Sequence, residues 1–232
     1  MSLDAMSERW EILLVALIIG TAHVVAPRVS KLRKHPERQS AFSGGLSVAY
    51  VFLHLIPSLD ASQDVVGPRI YFVALLGFVI FYGLDVLFQP SKRTHPTKYH
   101  AYLWVYFLYD GLLVFTLGPE LPAAPILTLV FAVALGLDVL STDIELQAEY
   151  GARFVKSGRL VLLAGVAGGY ALSLIRQPHP LVVDILAAAL AGFMMFSTFS
   201  RQFPTSRNKK FRAFLAGLLT FWLLHVLLGT AE

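Results

Sequence analysis

Apolar residues run along this chain in eight long blocks separated by short polar connections. The blocks lie near residues 10–27, 41–59, 70–89, 100–118, 125–147, 160–176, 180–200 and 211–229. Each is long enough to cross roughly 30 Å of hydrocarbon as a helix. Proline punctuates the pattern: Pro57, Pro68, Pro90, Pro119, Pro122, Pro125, Pro178, Pro180 and Pro204 sit at or beside block ends. A residue without an N–H suits a helix terminus and not an interior. The pattern predicts an all-α membrane protein with eight transmembrane helices, residues 1–232 forming a single polytopic domain with no sizeable soluble part. The first block follows an acidic segment bearing Asp4 and Glu8 and has no small-residue cleavage site. It is expected to be a retained helix and not a signal peptide.

Composition agrees with the pattern. The 232 residues are 56% hydrophobic with a mean hydropathy of +0.64, well above an ordinary globular chain. No cysteine is present, which excludes disulfides and thiolate metal sites. The net charge of +4 raises the question of nucleic acid, and the placement of the charges answers it. Connection 1–2 carries Arg28, Lys31, Arg33, Lys34 and Arg38; connection 3–4 carries Lys92, Arg93 and Lys98. Connection 5–6 carries Arg153, Lys156 and Arg159; connection 7–8 carries Arg201, Arg207, Lys209, Lys210 and Arg212. Only Arg9, Arg69 and Arg176 fall on the alternate side. Basic connections stay in the cytoplasm, so both termini are expected to be extracytoplasmic. The charge is accounted for by topology and lipid contact. The expected setting is a multi-pass protein of the plasma (cell inner) membrane, with the lipid bilayer and not nucleic acid as its partner.

Ionisable groups inside apolar spans are the candidate chemistry, because hydrocarbon penalises each by roughly 3 kcal/mol or more. They are His23, His54, Asp85, Asp110, Asp138, Asp143, Glu145, Asp184 and His225. Asp85 and Asp184 lie near block ends and are expected to be interfacial anchors. His23 and His225 have no partner at helical spacing and are expected to fill packing roles. His54 precedes Ile56-Pro57 and has two readings, a hydrogen-bonded structural histidine or part of a transport path. Asp110, in "YFLYDGLLVFTLG", and Asp138 both fall near mid-span. On a helix turning about 100° per residue, Asp138, Thr142, Glu145 and Glu149 lie within about 60° of one another, while Asp143 falls about 140° away from Asp138. That stripe could line a hydrated path reaching the inner connection. Tyr106, one turn before Asp110, shares its face. The plainer reading makes Asp110 an interhelical hydrogen-bonding residue. Glycines at Gly44-Gly45, Gly77, Gly83, Gly111, Gly136, Gly165, Gly168-Gly169 and Gly192 would allow helices to approach closely.

Several stretches resemble the ZIP family of divalent metal transporters, whose topology has eight helices and both termini outside. "SGGLSVAYVFLHLIPSL" (43–59) is similar to the family's second helix with its Phe-x-His-Leu-x-Pro ending, and "LAAALAGFMMFSTF" (186–199) to its seventh. "FVKSG" (154–158) is similar to the segment after the family's second metal motif, and Asp110-Gly111-Leu112 matches part of the fourth-helix motif His-Asn-x-x-Asp-Gly-Leu. The departures bear on mechanism. The family's His-Asn pair falls on Tyr106-Phe107. Anchoring on "FVKSG" puts Thr142-Asp143 at the fifth-helix His-Glu positions and Leu146 at the third; a one-turn shift instead puts Asp138 first. In either register no imidazole stands at a family ligand position. The resemblance then implies a metal site of Asp110, Asp138, Thr142, Asp143 and Glu145, with Tyr106, His54 and Glu149 along the transport pathway. An all-oxygen set suits hard cations such as Mg²⁺ or Mn²⁺ better than Zn²⁺.

The leading expectation is a transporter, not an enzyme: a passive or proton-linked carrier of a divalent cation with no resident cofactor. One alternative moves protons or another solute through paired carboxylates. A second is a non-transporting structural or regulatory relative that forms a homodimer. A third is an intramembrane aspartyl protease, suggested by Tyr109-Asp110 and Leu135-Gly136-Leu137-Asp138; Leu137 stands where that class has glycine, and its Pro-Ala-Leu motif is missing from the last spans.

Overall fold

The protein is described from a computed structural model covering residues 3–32, 36–61, 67–88, 96–120, 125–175, 179–202 and 208–229. Every expected block forms a helix. α1 is Leu3–Leu32, and α2 runs from Pro36–Tyr50 through a π turn, Val51–Leu55, into Ile56–Ala61. α3 is Arg69–Phe88, α4 is Pro96–Glu120 and α5 is Pro125–Tyr150. α6, Arg159–Ile175, is entered through a π turn at Phe154–Gly158. α7, Pro180–Ser197, leaves through one at Thr198–Gln202, and α8 is Asn208–Gly229.

The helix starts follow from proline chemistry. α2, α4, α5 and α7 begin on Pro36, Pro96, Pro125 and Pro180. The first turn has no intrahelical acceptor for its N–H groups, so a residue without one costs nothing there. His179 caps α7, its Nδ1 accepting from the Leu181 N–H at 3.3 Å. α5 ends at Gly151, whose φ of 57° only glycine adopts freely; its N–H closes the last turn on the Gln147 carbonyl at 2.9 Å. Pro57 departs from expectation, since it lies inside α2 and does not end it. The π turn just before it widens the helix, with the Ile56 N–H reaching back to the Val51 carbonyl, and relieves the crowding that proline causes in a regular α-helix.

The helices associate in close pairs: α1 with α5, α2 with α8, α3 with α7, and α4 with α6. Glycine sets the approach. A Cβ at Gly192 of α7 would overlap the Ala74 carbonyl of α3, and one at Gly169 of α6 would overlap the Gly111 carbonyl of α4. Bare backbones meet there, giving van der Waals contact that larger side chains would prevent. Gly83 and Gly168, grouped with them from sequence, have open space at their Cβ positions. Gly192→Val is therefore expected to destabilise the bundle by about 1–3 kcal/mol, the range for overpacking, measured as thermal unfolding in detergent. Gly83→Val is the control and should leave unfolding unchanged.

Polar contacts gather the basic connections at one end of the bundle. Lys210 Nζ lies 2.9 Å from Glu37 Oε2, joining the starts of α8 and α2. Arg153 donates to His100 Nε2 at 2.8 Å, and Arg159 donates to the Val24 carbonyl of α1 at 3.3 Å. Arg33, Lys34, Lys92, Arg93, Arg176 and Arg207 lie outside the described residues, as do the side chains of Asp4, Glu8, Asp85, Lys98, Arg201 and Lys209. Among the described residues five helices are long and apolar enough to cross a bilayer: Arg9–Leu32, Tyr99–Leu117, Phe154–Ile175, Pro180–Ser200 and Lys210–Leu227. α3 contributes a shorter apolar stretch, Arg69–Leu84, and turns Phe72, Leu75, Val79 and Ile80 outward. Outward apolar faces of this extent are the surface that lipid covers. The fold is thus that of an integral membrane protein.

Candidate functional site

Three buried ionisable side chains from three helices meet where α1, α4 and α5 pack together. His23 of α1, Asp110 of α4 and Asp143 of α5 are each no more than 2% exposed. His23 Nδ1 lies 2.8 Å from Asp143 Oδ2 in a hydrogen bond. Its Nε2 lies 3.4 Å from Asp110 Oδ2, close enough for electrostatic contact but without hydrogen-bond geometry. The imidazole thus stands between two carboxylates with one nitrogen turned to each. Three polar atoms in this group have no hydrogen-bond partner among the described residues: His23 Nε2, Asp110 Oδ2 and Asp143 Oδ1. Buried atoms left in that condition each cost about 1–3 kcal/mol, more where charge is carried.

The three side chains line a narrow cavity of about 10 Å³, near the minimum of roughly 10–15 Å³ that one water needs. Its wall also takes Tyr106 and Tyr109 from α4, Asp138 and Thr142 from α5, and Phe193 and Ser197 from α7. Asp138 is held from the other side: Ser47 Oγ of α2 lies 2.9 Å from its Oδ1. Ser43 fixes the same helix pair by donating to the Leu137 carbonyl at 3.0 Å.

The structure brings together Tyr106, Asp110, Asp138, Thr142 and Asp143 and leaves out the rest of the expected set. Glu145 does not line the cavity; its Oε1 lies 3.4 Å from Ser40 Oγ of α2. Glu149 is exposed at the end of α5. The wheel angles grouped these two with Asp138 and set Asp143 apart. The cavity instead spans a wide arc of α5, with Asp143 turned to α1, while Glu145 continues down the face toward α2. His54 sits in the π turn of α2 against Tyr50, ring centroids 5.3 Å apart, and Phe131, 5.4 Å apart, so aromatic packing is what its position provides. His225 of α8 likewise stacks on Phe221, centroids 6.3 Å apart.

His23 is what sequence reasoning missed. A packing role was expected, and no imidazole was expected at a metal-ligand position. The structure supplies one from a helix with no motif residue. Two carboxylates in the middle of apolar spans need donors or a positive charge beside them, and away from the span ends histidine is the side chain that can carry that charge. Charge balance was the available signal. Among the described residues no group of three or more His, Asp or Glu is placed to hold a metal ion. The reason lies in the ring: its nitrogens face opposite carboxylates, so a single ion reaches all three side chains only after the imidazole turns.

Fold and site together define a polytopic membrane protein with a buried carboxylate–imidazole–carboxylate centre. The chain matches no protein-family model and no curated protein.

Proposed function

We propose that the chain is a ZIP-like carrier that moves a divalent cation across the membrane in eight spans, with both termini extracytoplasmic and Asp110, Asp143 and His23 as its ion-handling centre. The observation that carries this is the convergence of two buried carboxylates, each with an oxygen that has no hydrogen bond among the described residues, on opposite nitrogens of one imidazole. Asp138 adds a third carboxylate to the same cavity. With two or more of these ionised, one imidazole cannot neutralise the site, and a divalent cation entering it meets that deficit. In the register anchored on "FVKSG", the resemblance puts the family's fourth- and fifth-helix acidic positions at these two carboxylates. A nitrogen donor revises the expected selectivity, because imidazole with carboxylates suits Mn²⁺, Fe²⁺ or Zn²⁺ better than Mg²⁺.

Passage then takes a simple form. The cation replaces His23 between Asp110 and Asp143, the ring turns, and Nε2 or Nδ1 becomes available as a third donor. Thr142 and Tyr106 provide neutral oxygens along the cavity wall. The test is uptake of Mn²⁺, Zn²⁺ and Mg²⁺ into proteoliposomes holding a metal-sensitive dye. Mn²⁺ or Zn²⁺ entry that falls to the empty-vesicle rate in Asp110→Ala and Asp143→Ala is the expected result. Entry unaffected by both substitutions, or no divalent entry through folded protein, overturns the reading.

A second reading is favoured by the 2.8 Å hydrogen bond between His23 and Asp143, which is the geometry of a proton relay. Under it the same vesicles, loaded with a pH-sensitive dye and given no divalent cation, would acidify along an imposed proton gradient in a His23-dependent way.

A further inference from the structure

A second cavity lies next to the acidic one, and Tyr109 lines both. Its volume is about 30 Å³, room for about two waters on the same scale. Its wall is mostly apolar, with Leu113 and Leu117 from α4, Phe131 from α5, and Leu190 and Met194 from α7. Thr116 is also there, but its hydroxyl is turned back to its own helix, donating to the Leu112 carbonyl at 3.0 Å or the Leu113 carbonyl at 3.3 Å. Tyr50 closes the wall from α2.

The two cavities stack along the bundle axis. On α4 the acidic cavity takes Tyr106 and Asp110 and the apolar one takes Leu113 to Leu117. On α5 and α7, which run the other way, the order reverses: Phe131 comes before Asp138, and Leu190 before Ser197. From Asp110 to Leu117 the helix rises about 10 Å. The apolar cavity therefore lies toward the end of the bundle where α4 finishes and α5 begins, opposite the basic connections. Among the described residues Tyr109 is the one that lines both cavities. It is buried, and its ring is wedged against Phe193 with centroids 4.1 Å apart. Phe193 is backed in turn by Phe81, centroids 3.7 Å apart.

We infer that Tyr109 is a gate between an apolar antechamber and the acidic centre, and that a cation coming from the Gly118–Pro125 end reaches Asp110 only when this ring leaves Phe193. The inference rests on the carrier reading for its cargo, though not for its geometry. A mostly apolar chamber offers few ligands to a dehydrated ion, and one of this volume has no room for a fully hydrated one, so passage requires the chamber to widen as the ring moves. A ring that fills the passage between the two chambers sets when that happens.

The chain has no cysteine, so single cysteines report accessibility without background. Thr116→Cys marks the antechamber and Ser197→Cys the acidic cavity. The probe is Ag⁺, a thiol-reactive ion of about the size of a water, added to one face of proteoliposomes at a time. With Tyr109 present, Thr116→Cys reacts from the Gly118–Pro125 face and Ser197→Cys does not. Tyr109→Ala is expected to raise the reaction of Ser197→Cys from that face at least tenfold while leaving Thr116→Cys unchanged. Tyr109→Leu, which keeps most of the volume, serves if alanine fails to give monodisperse protein, and should open the passage less. A reaction rate at Ser197→Cys that is independent of residue 109, or already high with tyrosine in place, overturns the gate. Gated labelling in vesicles that carry no divalent cation would leave the gate standing and remove the carrier reading. Transport with ungated labelling would do the reverse.

Discussion

His23→Leu is expected to destabilise the protein by about 3–5 kcal/mol even though it leaves no hole, because it strands two buried carboxylates. Removing one partner of a buried pair costs that much, and His23 is the partner of both Asp143, at 2.8 Å, and Asp110, at 3.4 Å. Leucine nearly conserves the volume of imidazole, and volume-conserving swaps in a packed interior cost under about 1.5 kcal/mol. A histidine that merely fills space would therefore tolerate leucine. The measurement is denaturant or thermal unfolding in detergent, carried through a double-mutant cycle with Asp143→Ala. In the Asp143→Ala background the cost of His23→Leu should shrink by more than 1 kcal/mol, the signature of direct coupling. An equal cost in both backgrounds would mean that the hydrogen bond contributes nothing.

Much of this architecture is legible in the sequence, and the parts that are not share a cause. The helices could be placed because a span must satisfy its own backbone and present apolar side chains for its whole length, and because Pro125 and Pro180 mark helix starts by local chemistry alone, whereas Pro36 and Pro96 start helices a few residues before the apolar blocks do. Asp110 stood out because a carboxylate in an apolar run is expensive wherever its helix lies. His23 did not, since its meaning depends on a residue 120 positions away. No spacing on α1 encodes how that helix packs against α5. Asp143 was set apart from Asp138 by wheel angles that assume a cavity meets one narrow stripe. The actual cavity touches both because α1 closes one side of it and α7 closes the other. Glu145 and Glu149 shared the stripe but lie further along the helix, beyond the reach of the cavity. The glycine pairs divide in the same way. Gly192 and Gly83 look alike in sequence, and only the partner backbone at Ala74 distinguishes the first.

Asp110→Asn is expected to separate stability from transport, raising the first by about 1–3 kcal/mol and lowering divalent uptake by about 100-fold or more. Asp110 Oδ2 is buried with no hydrogen bond among the described residues. With Asp110 and Asp143 both ionised, a single imidazolium at His23, 2.8 Å from Asp143 and 3.4 Å from Asp110, offsets only one of them. The centre then holds an uncompensated buried negative charge, which is costly. The asparagine amide fits the same space, removes that charge and leaves its oxygen to accept from the Nε2–H, and the gain is the penalty relieved. The same change removes a negative charge and an anionic ligand from the centre. Loss of groups that only support a metal ligand already costs 10–100-fold in affinity or activity, and loss of the ligand itself should exceed that. A residue retained as interhelical glue behaves in the opposite way: its neutral isostere weakens the bundle and alters no flux. Higher thermal stability together with lost Mn²⁺ or Zn²⁺ entry would therefore identify Asp110 as a group kept at the expense of the fold for the sake of the ion. A fall in stability with uptake intact would return it to structure alone.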